Sequence, residues 1–309
     1  MGRDLLIEYV LSKLRKNSKT GDPLVKNIFS KYVVTGLALA LASQASATTL
    51  IYNDFSDTTG LQINGDAAAV NDGSRDVLRV TPSALWQAGS LFSTNAITFG
   101  TNYSFSTQFT FNFNAPINGG ADGLVFVIQP NANNVGGAGG GIGYQGIANS
   151  LGVEFDSWNN GGIDGGSANH VGVNLNGSIN SVARTNSPFP LDNGGDLTAW
   201  IDYDGNAQLL EVFLNNSNVK PGTSLLSYNF DLAATIGGPN AFVGFTSGTG
   251  AAGANHDLVN WGFRDSIGDA FGGVPEPSTW AMLIFGFGLV GGALRNANGR
   301  RRSTKVSFA

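Results

Sequence analysis

Residues 103–113 read YSFSTQFTFNF, which puts Tyr103, Phe105, Phe109, Phe111 and Phe113 on one face of an extended strand. Period-two alternation with aromatic residues on a single side suits a strand packed against one core; a helix repeats its apolar positions every three to four residues instead. Residues 124–128 form a continuous apolar run, suited to a strand buried on both faces. Residues 197–203 and 208–214 flank Asp204, Gly205 and Asn206, a hairpin signal, and residues 241–246 and 258–264 supply two further strands. No long helical period falls between Ala47 and Val274. Short strands at this spacing predict an all-β sandwich or jelly roll, and 44 glycines, 20 phenylalanines and only 13% charged residues agree with it. The chain has no cysteine, so no disulfide can staple it. A metal could take that part.

Charge divides the 309 residues into three. Residues 1–47 carry 7 Lys/Arg and 3 Asp/Glu, residues 48–274 carry 5 and 18, and the last 35 carry 5 and 1. The acidic middle argues against nucleic acid as a partner, because a phosphate backbone would be repelled. The basic ends read as addressing signals. Residues 3–16 are a short amphipathic stretch. Lys26 and Lys31 then precede an apolar run over 32–42 and the small-residue pattern Ala45, Ser46, Ala47, which predicts a secretory signal helix cleaved after Ala47. At the other end Pro275, Glu276 and Pro277 lead into a 15-residue apolar stretch, 280–294, followed by Arg295, Arg300, Arg301, Arg302 and Lys305. As a helix that stretch would be about 22 Å long, short of the ~30 Å hydrocarbon core, with snorkelling arginines marking its cytoplasmic end. The expected division is 1–47 extension and signal, 48–270 β-sandwich, and 274–309 sorting and membrane segment.

The richest chemistry lies in residues 151–175, LGVEFDSWNNGGIDGGSANHVGVNL. Glu154 and Asp156 point to the same side of a strand about 7 Å apart, and Trp158 and Asn160 follow that direction as the strand runs out. Gly161, Gly162, Gly165 and Gly166 let the chain double back, bringing Asp164 near the strand end and His170, one of only two histidines, beside Glu154. Carboxylate and carbonyl oxygens suit calcium, whereas carboxylates with one imidazole suit manganese or another divalent transition metal; Asp156 is the natural shared ligand. Each piece taken singly has a plainer reading, as solvated carboxylates, a flexible loop or a surface histidine.

The same stretch resembles the metal loop of the legume (L-type) lectins, through Val153, Glu154, Phe155, Asp156, Trp158, Asn160, Asp164, His170, Val171 and Gly172. Asp164 sits one residue earlier than the family spacing. Four further segments, in the family's order, extend the resemblance over about 53–265: Gly120 to Leu124, Gly140 to Gly143, Asn174 to Ser181, and His256 to Phe263. The resemblance implies a concanavalin-like jelly roll with one flat and one curved sheet and a saccharide held in loops above the curved one. It implies Glu154, Asp156, Asp164 and His170 on the transition metal, and Asp156, the Trp158 carbonyl, Asn160 and Asp164 on calcium. It implies Asp122, joined to Ala121 by a cis peptide, as acceptor of two sugar hydroxyls. Gly140 and Asn160 would act as donors and Trp158 as a stacking plate. The loop 246–255, rich in Gly, Ala and Ser, would close one side.

The C-terminal order of elements resembles the PEP-CTERM sorting signal of Gram-negative bacteria, which implies processing by a membrane exosortase and a transient C-terminal anchor. The reading that follows is a secreted or cell-surface, non-catalytic lectin for a saccharide or exopolysaccharide, with back-sheet dimers common in the family. A jelly-roll glycoside hydrolase is the competing reading, since Glu154 and Asp156 approach the separation of paired catalytic carboxylates. A structural matrix protein with a degenerate lectin fold is the third.

Overall fold

The computed structural model describes residues 49–267 apart from 101, 132 and 134–136. The expected signal helix and C-terminal helix lie outside the described residues. In chain order the strands begin with β1 (Thr49–Tyr52), β2 (Leu61–Gly65), β3 (Ala68–Asn71), β4 (Asp76–Thr81), β5 (Ala88–Ser93) and β6 (Ile97–Thr98). β7 (Phe105–Ile117), β8 (Gly123–Gln129), β9 (Leu151–Asp156), β10 (His170–Leu175) and β11 (Ala183–Asn186) follow. β12 (Leu197–Asp204), β13 (Leu209–Asn215), β14 (Leu226–Asn229), β15 (Asn240–Gly248) and β16 (Gly253–Arg264) complete the set. The one α-helix among the described residues, α1 (Leu232–Ile236), is a single turn, capped by Asp231 accepting the Ala234 N–H and ended by Gly237 at φ 70°.

These strands form two antiparallel sheets. One runs β14-β13-β12-β7-β16-β4-β3 with β1 also on β16; the other runs β11-β10-β9-β8-β15-β5-β2 with β6 also on β15. Neighbours far apart in sequence, such as β7 with β16 and β8 with β15, make the pair a jelly-roll sandwich. The alternating phenylalanines are the reason the sheets face each other. Phe105, Phe109, Phe111 and Phe113 on β7 are fully buried and meet Phe126, Phe155 and Phe245 from the opposite sheet, with Phe109 edge-on to Phe245 at 4.8 Å and Phe111 at 5.1 Å from Phe155. Each such ring contributes about 1.5–3 kcal/mol through burial. Tyr103 falls just outside the strand, since Asn102 turns the chain at φ 58°, and packs on Phe99 instead. Strand β13 likewise starts one residue later than the pattern suggests, because Gln208 adopts φ 54° in the turn.

The apolar run on β8 is buried on both faces. Leu124, Phe126 and Ile128 point into the main core, while Val125 and Val127 are covered by Ile142, Tyr144 and Ile147 from the loop after β8. That loop is pinned there: Ile142 O accepts from Thr246 Oγ1, Gly139 N–H donates to Thr249 O, and the Tyr144 ring fills the space a Cβ on Gly152 would take. The glycine-rich segment 139–143 is thereby held against the outer face of the sheet that carries β9 and β10.

Candidate metal and ligand site

One register line crosses the end of this sheet, pairing Ala88 with Gly248, Gly248 with Gly123, Gly123 with Asp156, and Asp156 with His170. The loops carrying Asp122, Trp158 to Asp164 and Gly250 leave the sheet near that line, whereas the Gly140 loop leaves at the far end, between Gln129 and Leu151, and folds back over the sheet to bond Thr249. On β9, Val153 and Phe155 point into the core, so the alternation turns Glu154 and Asp156 outward together. His170 stands opposite Asp156 rather than Glu154, and its Nε2 reaches diagonally to within 3.4 Å of Glu154 Oε1. Gly172, the residue opposite Glu154, is required by the packing: a Cβ there would lie 2.3 Å from Glu154 Oε1 and 2.5 Å from Ser181 Oγ. The Glu154 carboxylate accepts hydrogen bonds from Asn174 Nδ2 and Ser181 Oγ.

Ligand atoms of Glu154, Asp156 and His170 all lie within 4.8 Å of one another, and all three residues are buried. His170 is completely buried and neither ring nitrogen has a hydrogen-bond partner. A buried imidazole left unpaired beside two carboxylates is the donor set of a divalent-metal site, and the residues fit such an ion. This cluster does not extend to Asp164. That residue is buried, but its Oδ2 accepts the Asn160 N–H across the loop between β9 and β10. Three of the four loop glycines, Gly161, Gly165 and Gly166, take left-handed backbone angles, and Gly166 N–H closes the loop on Gly161 O at 2.9 Å. Arg184 from β11 lies over Gly165 and donates to Ile163 O, fastening the loop to the sheet.

The electrostatics of the group run one way. Burial pushes the Asp156 carboxyl well above its ordinary range, with Glu154, Asp164 and Asp122 adding to it, while the Trp158 N–H, donating to Oδ1 at 2.7 Å, opposes it. Burial, then the charge of Asp164, raises Asp122 to about 7, and burial also raises Asp164. Carboxylates that disfavour one another's charge in a shielded pocket are stabilised by a cation.

Asp122 follows a cis peptide from Ala121. Its backbone is held on both sides, N–H to Gly248 O at 3.0 Å and carbonyl from Ser157 N–H at 2.9 Å, while its Oδ2 is buried without a partner. Asn160 is exposed, and its amide lies against Gly140: a Cβ on Gly140 would be 2.6 Å from Asn160 Nδ2. Gly250 borders the same spot, since a Cβ on it would stand 3.5 Å from Asp122 Oδ2 and 3.3 Å from Gly139 Cα. Trp158 is half-buried, its ring next to the turn at Gly119. The structure therefore brings Asp122, Gly140 and Asn160 close together through Gly139 and Gly250, with Trp158 on the Gly119 side. Sequence reasoning left Asn174 and Ser181 without a role; both lie in a segment it had singled out, and both orient Glu154.

A polar chain crosses the sandwich behind Asp122. Ser247 Oγ–H donates to Gly123 O at 2.7 Å, Thr81 Oγ1 lies 2.8 Å from Ser247 Oγ, and His256 Nδ1 lies 2.7 Å from Thr81 Oγ1. With the serine proton committed to a carbonyl, Thr81 must donate to Ser247 and His256 must donate from Nδ1. Burial lowers the His256 pKa to about 3, so the ring is neutral, as that direction requires.

The structure is a jelly-roll sandwich with a buried carboxylate–imidazole cluster at the end of one sheet that could hold a divalent ion, and comparison with known proteins narrows its class. The legume lectin domain profile matches residues 47–272, and the chain belongs to that family. A PEP-CTERM protein-sorting motif matches residues 273–302. Among curated relatives, the L-type lectin-domain containing receptor kinase VIII.1 of Arabidopsis thaliana is 34% identical over 69% of this chain, which spans 30% of that protein's length. The leucoagglutinating phytohemagglutinin of Phaseolus vulgaris is 31% identical over 76% of this chain and 91% of its own. Among solved structures, a Bauhinia forficata lectin in complex with GalNAc superposes with a TM-score of 0.62 at 25% identity, covering 71% of this chain and 98% of that one. The metal-free Griffonia simplicifolia lectin I-B4 gives 0.60 at 28% identity, over 70% and 98% of the two chains.

Proposed function

We propose that this chain is an exported, non-catalytic lectin in which a calcium and manganese-type metal pair shapes a saccharide pocket. The observation that carries the reading is the buried trio Glu154, Asp156 and His170, with both imidazole nitrogens unpaired, beside Asp122 through the Gly123–Asp156 pairing and with Gly140 and Asn160 gathered nearby. Glu154, Asp156 and His170 would hold the transition metal, with Asp164 turning toward it from the Asn160 N–H; Asp156, the Trp158 carbonyl, Asn160 and Asp164 would hold calcium. When bound, the ions neutralise the clustered carboxylates. Asp122 accepts two sugar hydroxyls, Gly140 donates its N–H where any side chain would collide with Asn160, the Asn160 amide donates beside it, and Trp158 offers a face to the ring. The glycosidase reading is weaker because Glu154 is held by Asn174 and Ser181 instead of facing an open cleft.

The sandwich over 48–270 is the binding domain, residues 1–47 direct export, and residues 274–309 carry the exosortase signal and a transient anchor that leaves the domain at the cell surface or outside the cell. No helix among the described residues is long and apolar enough to cross a membrane, and the 280–294 stretch lies outside them. The test is a glycan-array screen with calcium and manganese, repeated in EDTA and with Asp156→Ala. Binding that disappears in both controls supports the reading; a folded protein that binds no glycan under any condition overturns it in favour of the structural matrix protein.

A further inference from the structure

Trp86 is 67% exposed and Leu85 beside it 39%, on the connection between β4 and β5. An isolated exposed apolar side chain is ordinary, but this one is held in place. Trp86 has φ 60°, an uncommon angle for a bulky residue and one that persists only where neighbours impose it. The neighbours are those of the ligand pocket. Trp86 N–H donates to Gly250 O at 3.1 Å, and Gln87 and Thr249 exchange two bonds, Gln87 N–H to Thr249 Oγ1 and Thr249 N–H to Gln87 O, both 2.9 Å. Thr249 Oγ1 donates in turn to Ala84 O at 2.7 Å, and Ser83 N–H to Asn255 Oδ1 at 2.7 Å. The 82–87 connection is thus zipped to the loop whose Gly250 borders Asp122 Oδ2.

Register gives the distance. Ala88, two residues after Trp86, pairs with Gly248, which pairs with Gly123, the residue after Asp122. Two strand spacings separate the backbones, about 10 Å. A ring bound at Asp122 does not itself cover that gap, but the next sugar units of an oligosaccharide do. The intervening loop carries no side chain larger than a methyl at Gly250, Ala251 and Ala252, and of the three Ala251 is the exposed one.

Building on the proposed pocket at Asp122, we propose that Trp86 forms an outlying subsite. Its indole face stacks on the C–H face of a pyranose one or two units along a chain whose terminal sugar sits at Asp122. The ligand class is then an oligosaccharide or polysaccharide, and the short side chains of the 246–255 loop serve as its path.

The test uses the full chain loaded with calcium and manganese, on an array carrying galactose, N-acetylgalactosamine, mannose and glucose, each both as a monosaccharide and as the terminal unit of tri- to pentasaccharides. Wild type is compared with Trp86→Ala, Trp86→Tyr and Asp122→Asn, with thermal melting and sedimentation velocity on each. In the series that wild type binds, Trp86→Ala is expected to lower oligosaccharide affinity roughly three- to tenfold, the weight of one aromatic stacking contact, with monosaccharide affinity, melting temperature and oligomeric state unchanged. Trp86→Tyr should retain most of the binding. The subsite is overturned if Trp86→Ala leaves oligosaccharide affinity intact while Asp122→Asn abolishes binding, if it weakens monosaccharides equally, or if it changes the sedimenting species. Failure of the pocket itself looks different: wild type binds nothing, or Asp122→Asn has no effect.

Discussion

Replacing Asp122 with Asn should stabilise the metal-free protein while removing its saccharide binding. Folded, Asp122 keeps its proton up to about pH 7, against 3.8 when unfolded, because the carboxyl is buried and faces Asp164. The folded state therefore binds the extra proton between those values, so stability is full near pH 4 and falls as the pH rises through 7. Three pH units at 1.36 kcal/mol each set a ceiling of about 4 kcal/mol, and a buried amide left without a partner brings the expected gain to about 2–4 kcal/mol at pH 8. For a domain of this size that is about 4–16 °C in melting temperature. The assay is denaturant unfolding of wild type and Asp122→Asn in EDTA from pH 4 to 8. At pH 4 the variant should be less stable by the amide cost, about 0–2 kcal/mol, and the difference should then move in its favour up to about pH 7 and level off, with His256, common to both proteins, cancelling. Calcium and manganese should narrow the gap by stabilising wild type. Parallel curves across the range, or a variant less stable at pH 8, would refute the claim that Asp122 is a carboxylate buried against its own charge.

Gly172→Ala would force the Glu154 carboxylate off its seat, since the new Cβ would lie 2.3 Å from Oε1; the expected cost is about 1–3 kcal/mol in denaturant unfolding, together with manganese affinity at least ~10-fold weaker by titration calorimetry. Gly140→Ala should leave unfolding within about 0.5 kcal/mol of wild type yet abolish glycan binding, because its Cβ would displace the Asn160 amide. Thr81→Val cuts the polar chain from His256 to Gly123 and strands a buried imidazole N–H, at a cost of about 1–3 kcal/mol. In wild type, nitrogen NMR of His256 should report the neutral Nδ1–H tautomer and a pKa of about 3.

The all-β architecture and the clustering of Glu154, Asp156 and His170 were legible before any coordinate, for a physical reason: both are written at short range. Alternation along a strand decides which side chains share a face, so the phenylalanines of β7 and the outward pair Glu154 and Asp156 follow from spacing alone. The glycines after Asn160 announce a return, and a return strand brings a histidine back to them. Local spacing said less about partners. It set His170 beside Glu154, and Nε2 does approach Oε1 to 3.4 Å, but it did not give the register that stands His170 opposite Asp156, nor that Asp164 would turn its carboxylate to the Asn160 N–H. What tertiary structure alone decided is which distant segments meet. Asp122, Gly250 and Trp86 are brought to one end of the sheet because β8, β15 and β5 pair edge to edge, and Gly140 joins them because Gly139 N–H bonds Thr249 O; such long-range hydrogen bonding depends on the whole sandwich closing over its core rather than on any pattern within one strand.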